Sequence, residues 1–150
     1  MKILLAYDGS PSADAAIDEV VNRPWPAGTE IRLITVIERP FTMPQADGLD
    51  VYAPLYERMR ASLREGAYRR ITIAIGKFKE RPELQVSYEL RDGSVTTGLL
   101  DAIREWQADL VVAGSHGASG LARLVLGSVC HALVTHAPCN VEVVKIAHAA

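Results

Sequence analysis

Apolar positions change their period several times along this chain, and each change marks an element. Ile3-Leu4-Leu5-Ala6-Tyr7 is a short apolar run after Lys2, closed by the turn cluster Asp8-Gly9-Ser10-Pro11. It predicts a buried strand from Lys2 to Tyr7. Ala13, Ala16, Ile17, Val20 and Val21 then recur on one helical face, and Pro24, Pro26 and Gly28 end that helix. Ser10 or Ser12 can cap it, and Pro11 suits its first turn. Ile31, Leu33, Ile34, Val36 and Ile37 carry a second strand, Glu30 to Glu38. Arg39 to Pro54, with Pro40, Pro44, Pro54 and Gly48, reads as a long irregular loop, a kind often tied to function. Leu55, Met59, Leu63, Ala67, Ile71, Ile75 and Phe78 step by fours and then a three, the stripe of a long amphipathic helix. Gln85 to Arg91 alternates as a half-buried strand, and Val95, Leu99, Ile103 and Trp106 trace a third helix after Asp92-Gly93-Ser94. Leu110 to Ala113 is a strand opening directly into Gly114; Ser128 to His136 reads as a helix and Val141 to Ile146 as a last strand.

Strands alternating with helices at this rhythm predict an α/β domain with an open five-stranded parallel sheet and helices on both faces. The first, second and fourth strands are nearly continuous apolar runs, as positions covered on both sides require. The third and fifth alternate more, as edge strands can. The order 3-2-1-4-5 satisfies this texture and makes strands one and four neighbours, with the winding reversing between them. Ligands of open α/β sheets bind at the carboxyl ends of strands beside such a switch point. Asp8 ends one of these strands and Gly114 the other.

Composition narrows the class. A chain of 150 residues has room for one domain, residues 1–150, and not for two ordinary ones. A net charge of −2 argues against nucleic acid or an anionic membrane as partner, since both need clustered Lys and Arg. No apolar run approaches the ~20 residues that span a bilayer. The N-terminal run stops at Asp8 before any cleavage-like site, and Cys130 and Cys139 form neither a CxxC nor a metal pattern. The expected address is cytoplasmic, with two buried thiols.

The chemistry concentrates after the fourth strand. Gly114-Ser115-His116-Gly117 is followed by nine residues and then Gly127-Ser128-Val129. Gly114 and Gly117 can take positive φ and let a ligand approach the backbone, and turns of that kind aim N–H groups inward as an anion-binding nest. Ser128 stands where a helix N-cap belongs, so unpartnered amides and the positive helix end face the same anion. Ser115 and Ser128 add hydroxyls. On spacing alone, these glycines could equally serve turns and a helix start. The loop is no GxGxxG fingerprint, which belongs after the first strand, and no Gly-Lys-Ser/Thr makes it a Walker loop.

With this spacing the chain resembles the universal stress protein family in its ATP-binding, single-domain branch. That branch carries glycine, two residues, glycine, nine residues, then glycine and Ser or Thr. The opening Lys2 to Ser10, the Ala108-Asp109-Leu110-Val111-Val112-Ala113-Gly114 entry and the His136-Ala137-Pro138-Cys139 exit extend the likeness over the whole length. The resemblance implies a Rossmann-like, adenine nucleotide alpha hydrolase-like fold. It implies that Asp8 lies at the ribose, that Val36 offers backbone groups to adenine, and that Gly114 and Gly117 line the ribose and phosphate turn. Gly127, Ser128 and Val129 would hold the phosphates of ATP, or of ADP or AMP, with Mg2+ as a companion. It implies a homodimer paired through the last strand, Val141 to Val144. There the chain departs from the family's usual Pro-Val-Leu-Val-Val: Asn140-Val141-Glu142-Val143-Val144 puts a carboxylate in the strand.

Single residues carry rival readings. Asp8 is read as a ligand before a turn cap, because of its place at the switch point. Ser10 is a candidate contact as well as a cap. His116 lacks a Ser-His-Asp or Cys-His setting and reads as a loop residue or phosphate neighbour. Arg123 could reach a phosphate or be a surface charge. His131 and His136 read as structural, Trp25 and Trp106 as packing. Asp8 is the only acid placed near the site, so at most slow ATP hydrolysis is expected. The leading expectation is a nucleotide-dependent regulatory module in stress adaptation. An enzyme of related adenine-nucleotide folds lacks its Ser-Gly-Gly-x-Asp-Ser or His-x-Gly-His motif, and a structural dimer with an empty site is the third reading.

Overall fold

The computed structural model describes residues 1–38, 52–117 and 126–146. In chain order these form β1 (Lys2–Ala6), α1 (Pro11–Asn22), β2 (Glu30–Ile37), α2 (Ala53–Gly76), β3 (Gln85–Asp92), α3 (Val95–Trp106), β4 (Leu110–Gly114), α4 (Ser128–His136) and β5 (Asn140–Val144). All pairings are parallel, in the order β3-β2-β1-β4-β5, as the strand textures require. Ile3 lies beside both Ile31 of β2 and Leu110 of β4, which places β1 at the centre.

Alternation along the strands feeds two layers. Ile3, Leu5, Leu33 and Val112 join Ala16, Ile17 and Val20 of α1 and Ile71, Ala74 and Phe78 around α2. Leu4, Ile34, Val111 and Ala113 face Leu99, Ala102 and Ile103 of α3 and Cys130 and Leu133 of α4. Complete burial of a Leu or Ile side chain stabilises by about 1.5–3 kcal/mol, so these layers outweigh any surface pair. Trp25 and Trp106 are packing residues, with Trp106 under the cations of Lys2 and Arg32.

Two expectations need correction. Pro54 belongs to the first turn of α2 rather than to the preceding loop, a position where its missing N–H costs nothing. The remaining loop positions, residues 39–51, lie outside the described residues. The apolar stripe of α2 is also only half buried: Ala67, Ile71 and Phe78 are covered, while Leu55, Met59 and Leu63 remain 54%, 37% and 43% exposed. With 24 residues α2 runs about 36 Å at 1.5 Å per residue, longer than a strand of eight at about 3.3 Å per residue. Its first turns therefore extend past the sheet. Strand ends shift by one or two residues, and Gly114 closes β4 instead of following it. No described helix is long and apolar enough to cross a membrane.

Candidate functional site

β1 and β4 lie side by side, and their following helices leave on opposite faces, α1 into one layer and α4 into the other. The turn after β1 and the turn after β4 therefore share one crevice at the carboxyl edge of the sheet. They touch. A Cβ on Gly114 would stand 2.4 Å from the backbone carbon of Ser12 and 2.6 Å from its oxygen. Gly114 is thus a glycine because α1 begins directly against it. The sequence reading assigned Gly114 and Gly117 to positive φ; neither has it, and the positive-φ glycine at the crevice is Gly9, at 80°. Gly9 also accommodates Arg70, whose Cδ would come within 2.6 Å of a side chain there.

The start of α1 is closed by the protein's own groups. Ser10 is its N-cap, and the Ser10 Oγ accepts from the Ala13 N–H at 3.2 Å. Asp8 Oδ1 accepts from the Ser10 N–H at 2.9 Å. Ser12 donates its hydroxyl to the carbonyl of His116, and Ser10 reaches the same oxygen at 3.4 Å. Ser10, Ser12 and Ser115 are all buried. The Ser115 Oγ lies 2.9 Å from His116 Nδ1, and the Ser115 N–H donates to Val144 O at 2.8 Å.

The start of α4 is different. Its N-cap is Gly127, with no side-chain cap bond, and the expected cap Ser128 is instead the first helical residue. Gly127 takes the capping place because it lies close under Ser115, whose carbonyl accepts the Gly127 N–H at 3.1 Å; a Cβ on Gly127 would stand 3.2 Å from that oxygen. The first bond along the helix runs from the His131 N–H to Gly127 O at 2.9 Å. The amides of Ser128, Val129 and Cys130 thus have no acceptor within the helix. Aligned donors at the positive end of a helix favour an anion.

Asp8 faces this same space. Its carboxylate is exposed, and Oδ2 lies where a Cβ on Gly117 would be 3.2 Å away. Its charge reaches α4: burial, and secondarily Asp8, push the Cys130 thiol upward, while Cys130 Sγ donates to Gly114 O at 2.9 Å. Val36 completes the rim. The Tyr7 N–H donates to Ile34 O at 2.9 Å, and the Gly93 N–H to Ile37 O at 3.0 Å. Backbone groups alternate sides along a strand, so Val36 turns its N–H and carbonyl toward β1, just past the end of that strand. The next carbonyl there, Tyr7 O, accepts from the Thr35 hydroxyl at 2.6 Å.

Asp8, Ser10, Val36, Gly114, Ser115, His116, Gly117, Gly127, Ser128 and Val129 thus line or support one crevice; Arg123 lies outside the described residues. Sequence reasoning missed Ser12, Thr35 and Cys130. The Ser-Pro-Ser run hinted at the first only. Both cysteines are free, Cys130 buried and Cys139 half-buried.

The fold is that of a Rossmann-like α/β domain, with the crevice at its switch point. The universal stress protein family model matches residues 1–145, and the chain belongs to that family. Universal stress protein MJ0531 of Methanocaldococcus jannaschii is 28% identical over 145 residues, covering 96% of this chain and 81% of the relative. Universal stress protein YxiE of Bacillus subtilis is 28% identical over 147 residues, covering 96% and 98%. Among solved structures, hypothetical protein MJ0577 matches with a TM-score of 0.82 at 21% identity, over 99% of this chain and 97% of the other. A universal stress protein family protein from Arabidopsis thaliana, solved with AMP bound, gives 0.69 at 17% identity over 98% and 92%. A universal stress protein in complex with cAMP gives 0.65 at 21% over 98% of each. At these identities the three solved structures speak for the fold alone.

Proposed function

We propose that this chain is a single-domain regulatory module, residues 1–150, that binds an adenine nucleotide, ATP or else ADP or AMP, in the crevice between β1 and β4. The observation that carries the reading is the start of α4, where Gly127 brings no capping side chain and the amides of Ser128, Val129 and Cys130 have no acceptor within the helix. Ser128 and Val129 hold the phosphates through these amides and the exposed Ser128 hydroxyl. Gly127 acts through its small size, because its own amide already has an acceptor. Gly114 and Gly117 keep the turn narrow, with Ser115 and His116 between them. Asp8 sits opposite, where its charge suits ribose hydroxyls better than phosphate, and Val36 presents a donor and an acceptor that match the edge of adenine. Ser10 holds the Asp8 turn, and Arg123 is a candidate for the phosphate tail. The AMP and cAMP complexes of structural neighbours agree with this ligand class.

Mg2+ would accompany the phosphates of ATP. Among the described residues no group of three His, Cys, Asp or Glu side chains is placed to hold a metal ion. Nucleotide occupancy biases partner binding in stress adaptation, in the cytoplasm, and the module acts as a homodimer through β5. The test is to denature purified protein and identify the released small molecule by mass spectrometry. ATP, ADP or AMP in near-stoichiometric amount is expected. No release, together with no calorimetric response to any of the three, would refute the reading.

A further inference from the structure

The last strand holds a charge at an open edge. The Asn140 N–H donates to Asp109 O at 3.3 Å and Val144 O accepts from the Ser115 N–H at 2.8 Å. Even-numbered residues of β5 therefore turn their backbone to β4, and Val141 and Val143 turn theirs to the open edge. Side chains alternate the other way about. Val141 and Val143 pack toward α3 and α4, whereas Glu142 reaches the end of α1 and Val144 joins the α1 layer. If a second β5 runs antiparallel with the two-fold axis on Glu142, all five residues pair. Val141 then exchanges both bonds with Val143 of the second copy. Glu142 meets its own counterpart in a non-hydrogen-bonded pair, the closer kind, with Cα atoms about 4.5 Å apart. Like charges so placed oppose pairing.

Arg23 changes that outcome. Its Nη1 donates to Glu142 Oε2 at 2.7 Å and its Nη2 to Oε1 at 2.7 Å, drawing both oxygens toward the end of α1 and away from the edge. Nη2 also reaches Glu19 at 2.6 Å. The guanidinium rests over the Trp25 ring at 5.2 Å, and Trp25 is pinned by its Nε1 donating to Val20 O at 2.7 Å. The same end of the chain exposes Val134 on α4 and Ile146 just past β5. We propose that the Arg23–Glu142 clasp is the condition under which β5 can pair with its counterpart about Glu142. The proposal rests on the homodimer reading above and names the residue pair that controls it. An edge strand bearing an inward charge ordinarily resists pairing, and the clasp lifts that resistance.

Sedimentation equilibrium on the full chain tests this with wild type, Arg23→Ala, Glu142→Gln and the double variant, each checked for folding by circular dichroism. Wild type and Glu142→Gln are expected to dimerise. Arg23→Ala should dimerise at least tenfold more weakly, and the double variant should recover to within about threefold of wild type. Arg23→Ala dimerising as tightly as wild type overturns the clasp while the homodimer stands. A double variant as weak as Arg23→Ala overturns the charge account. Wild type monomeric at every concentration overturns the clasp and the homodimer together.

Discussion

Two helices begin at the mouth of this sheet, and they are finished in opposite ways. At α1 the capping hydroxyl of Ser10, the carboxylate of Asp8 and the hydroxyl of Ser12 all engage neighbouring backbone, and Gly114 is pressed on the first turn. At α4 a glycine stands at the cap, no side-chain cap bond is made to it among the described residues, and exposed Ser128 begins the helix. The physics of a helix start is the same at both: the first N–H groups lack intrahelical acceptors, four at α4 and three at α1, where Pro11 has none. What differs is whether the described residues supply acceptors. A closed start stabilises the fold, and an open one is available to a ligand. On the proposed reading, that contrast gives α1 to architecture and α4 to binding, although both face the same crevice.

Gly114→Val should break the contrast from the architectural side. Its Cβ would fall 2.4 Å from Ser12 backbone, and overpacking against a helix that cannot yield costs about 3 kcal/mol, readable as a large drop in Tm. Gly117→Val acts from the other side. Among the described residues the Cβ would meet only the Asp8 carboxylate, at 3.2 Å, so the fold should hold while backbone approach is blocked. Calorimetry with ATP should show affinity reduced at least tenfold, about 1.4 kcal/mol; unchanged affinity in a folded variant would remove this loop from the site. The caps give a smaller effect. Ser10→Ala should cost about 1 kcal/mol in urea unfolding, since it removes the α1 cap, whereas Ser128→Ala should change stability by less than about 0.5 kcal/mol.

The gentlest probe is pH. Burial first, and Asp14 second, push the Tyr7 phenol up to about 12 from its ordinary 10. The folded state therefore holds this proton more tightly than the unfolded state. Its stabilisation is complete below pH 10 and declines as pH rises from 10 through 12. Stability measured across that range should fall in wild type and fall less in Tyr7→Phe.

The sheet order was legible because burial writes itself into texture: β1 and β4 are unbroken apolar runs, and β3 alternates. The starts of α3 and α4 were legible from their turn residues, although the α4 cap is Gly127 and not Ser128. The crevice was legible as a place, through Asp8 and Gly114 at two strand ends. What each glycine does there was not. Gly114 needs room for Ser12, 102 positions away in the chain, and no local pattern reports so distant a contact. Glu142 was ambiguous for the same reason, since its partner Arg23 comes from the end of α1. The exposed half of the α2 stripe shows the converse limit. Periodicity marks one face of a helix but not how far the sheet beneath it extends.

The direct test of the contrast is an amide-resolved NMR titration with ATP. Ser128, Val129 and Cys130 should show the largest N–H shift changes, with those of Ser12 and Ala13 small. Large shifts at Ser12 and Ala13 with Ser128 to Cys130 unmoved would contradict the assignment of the anion to α4.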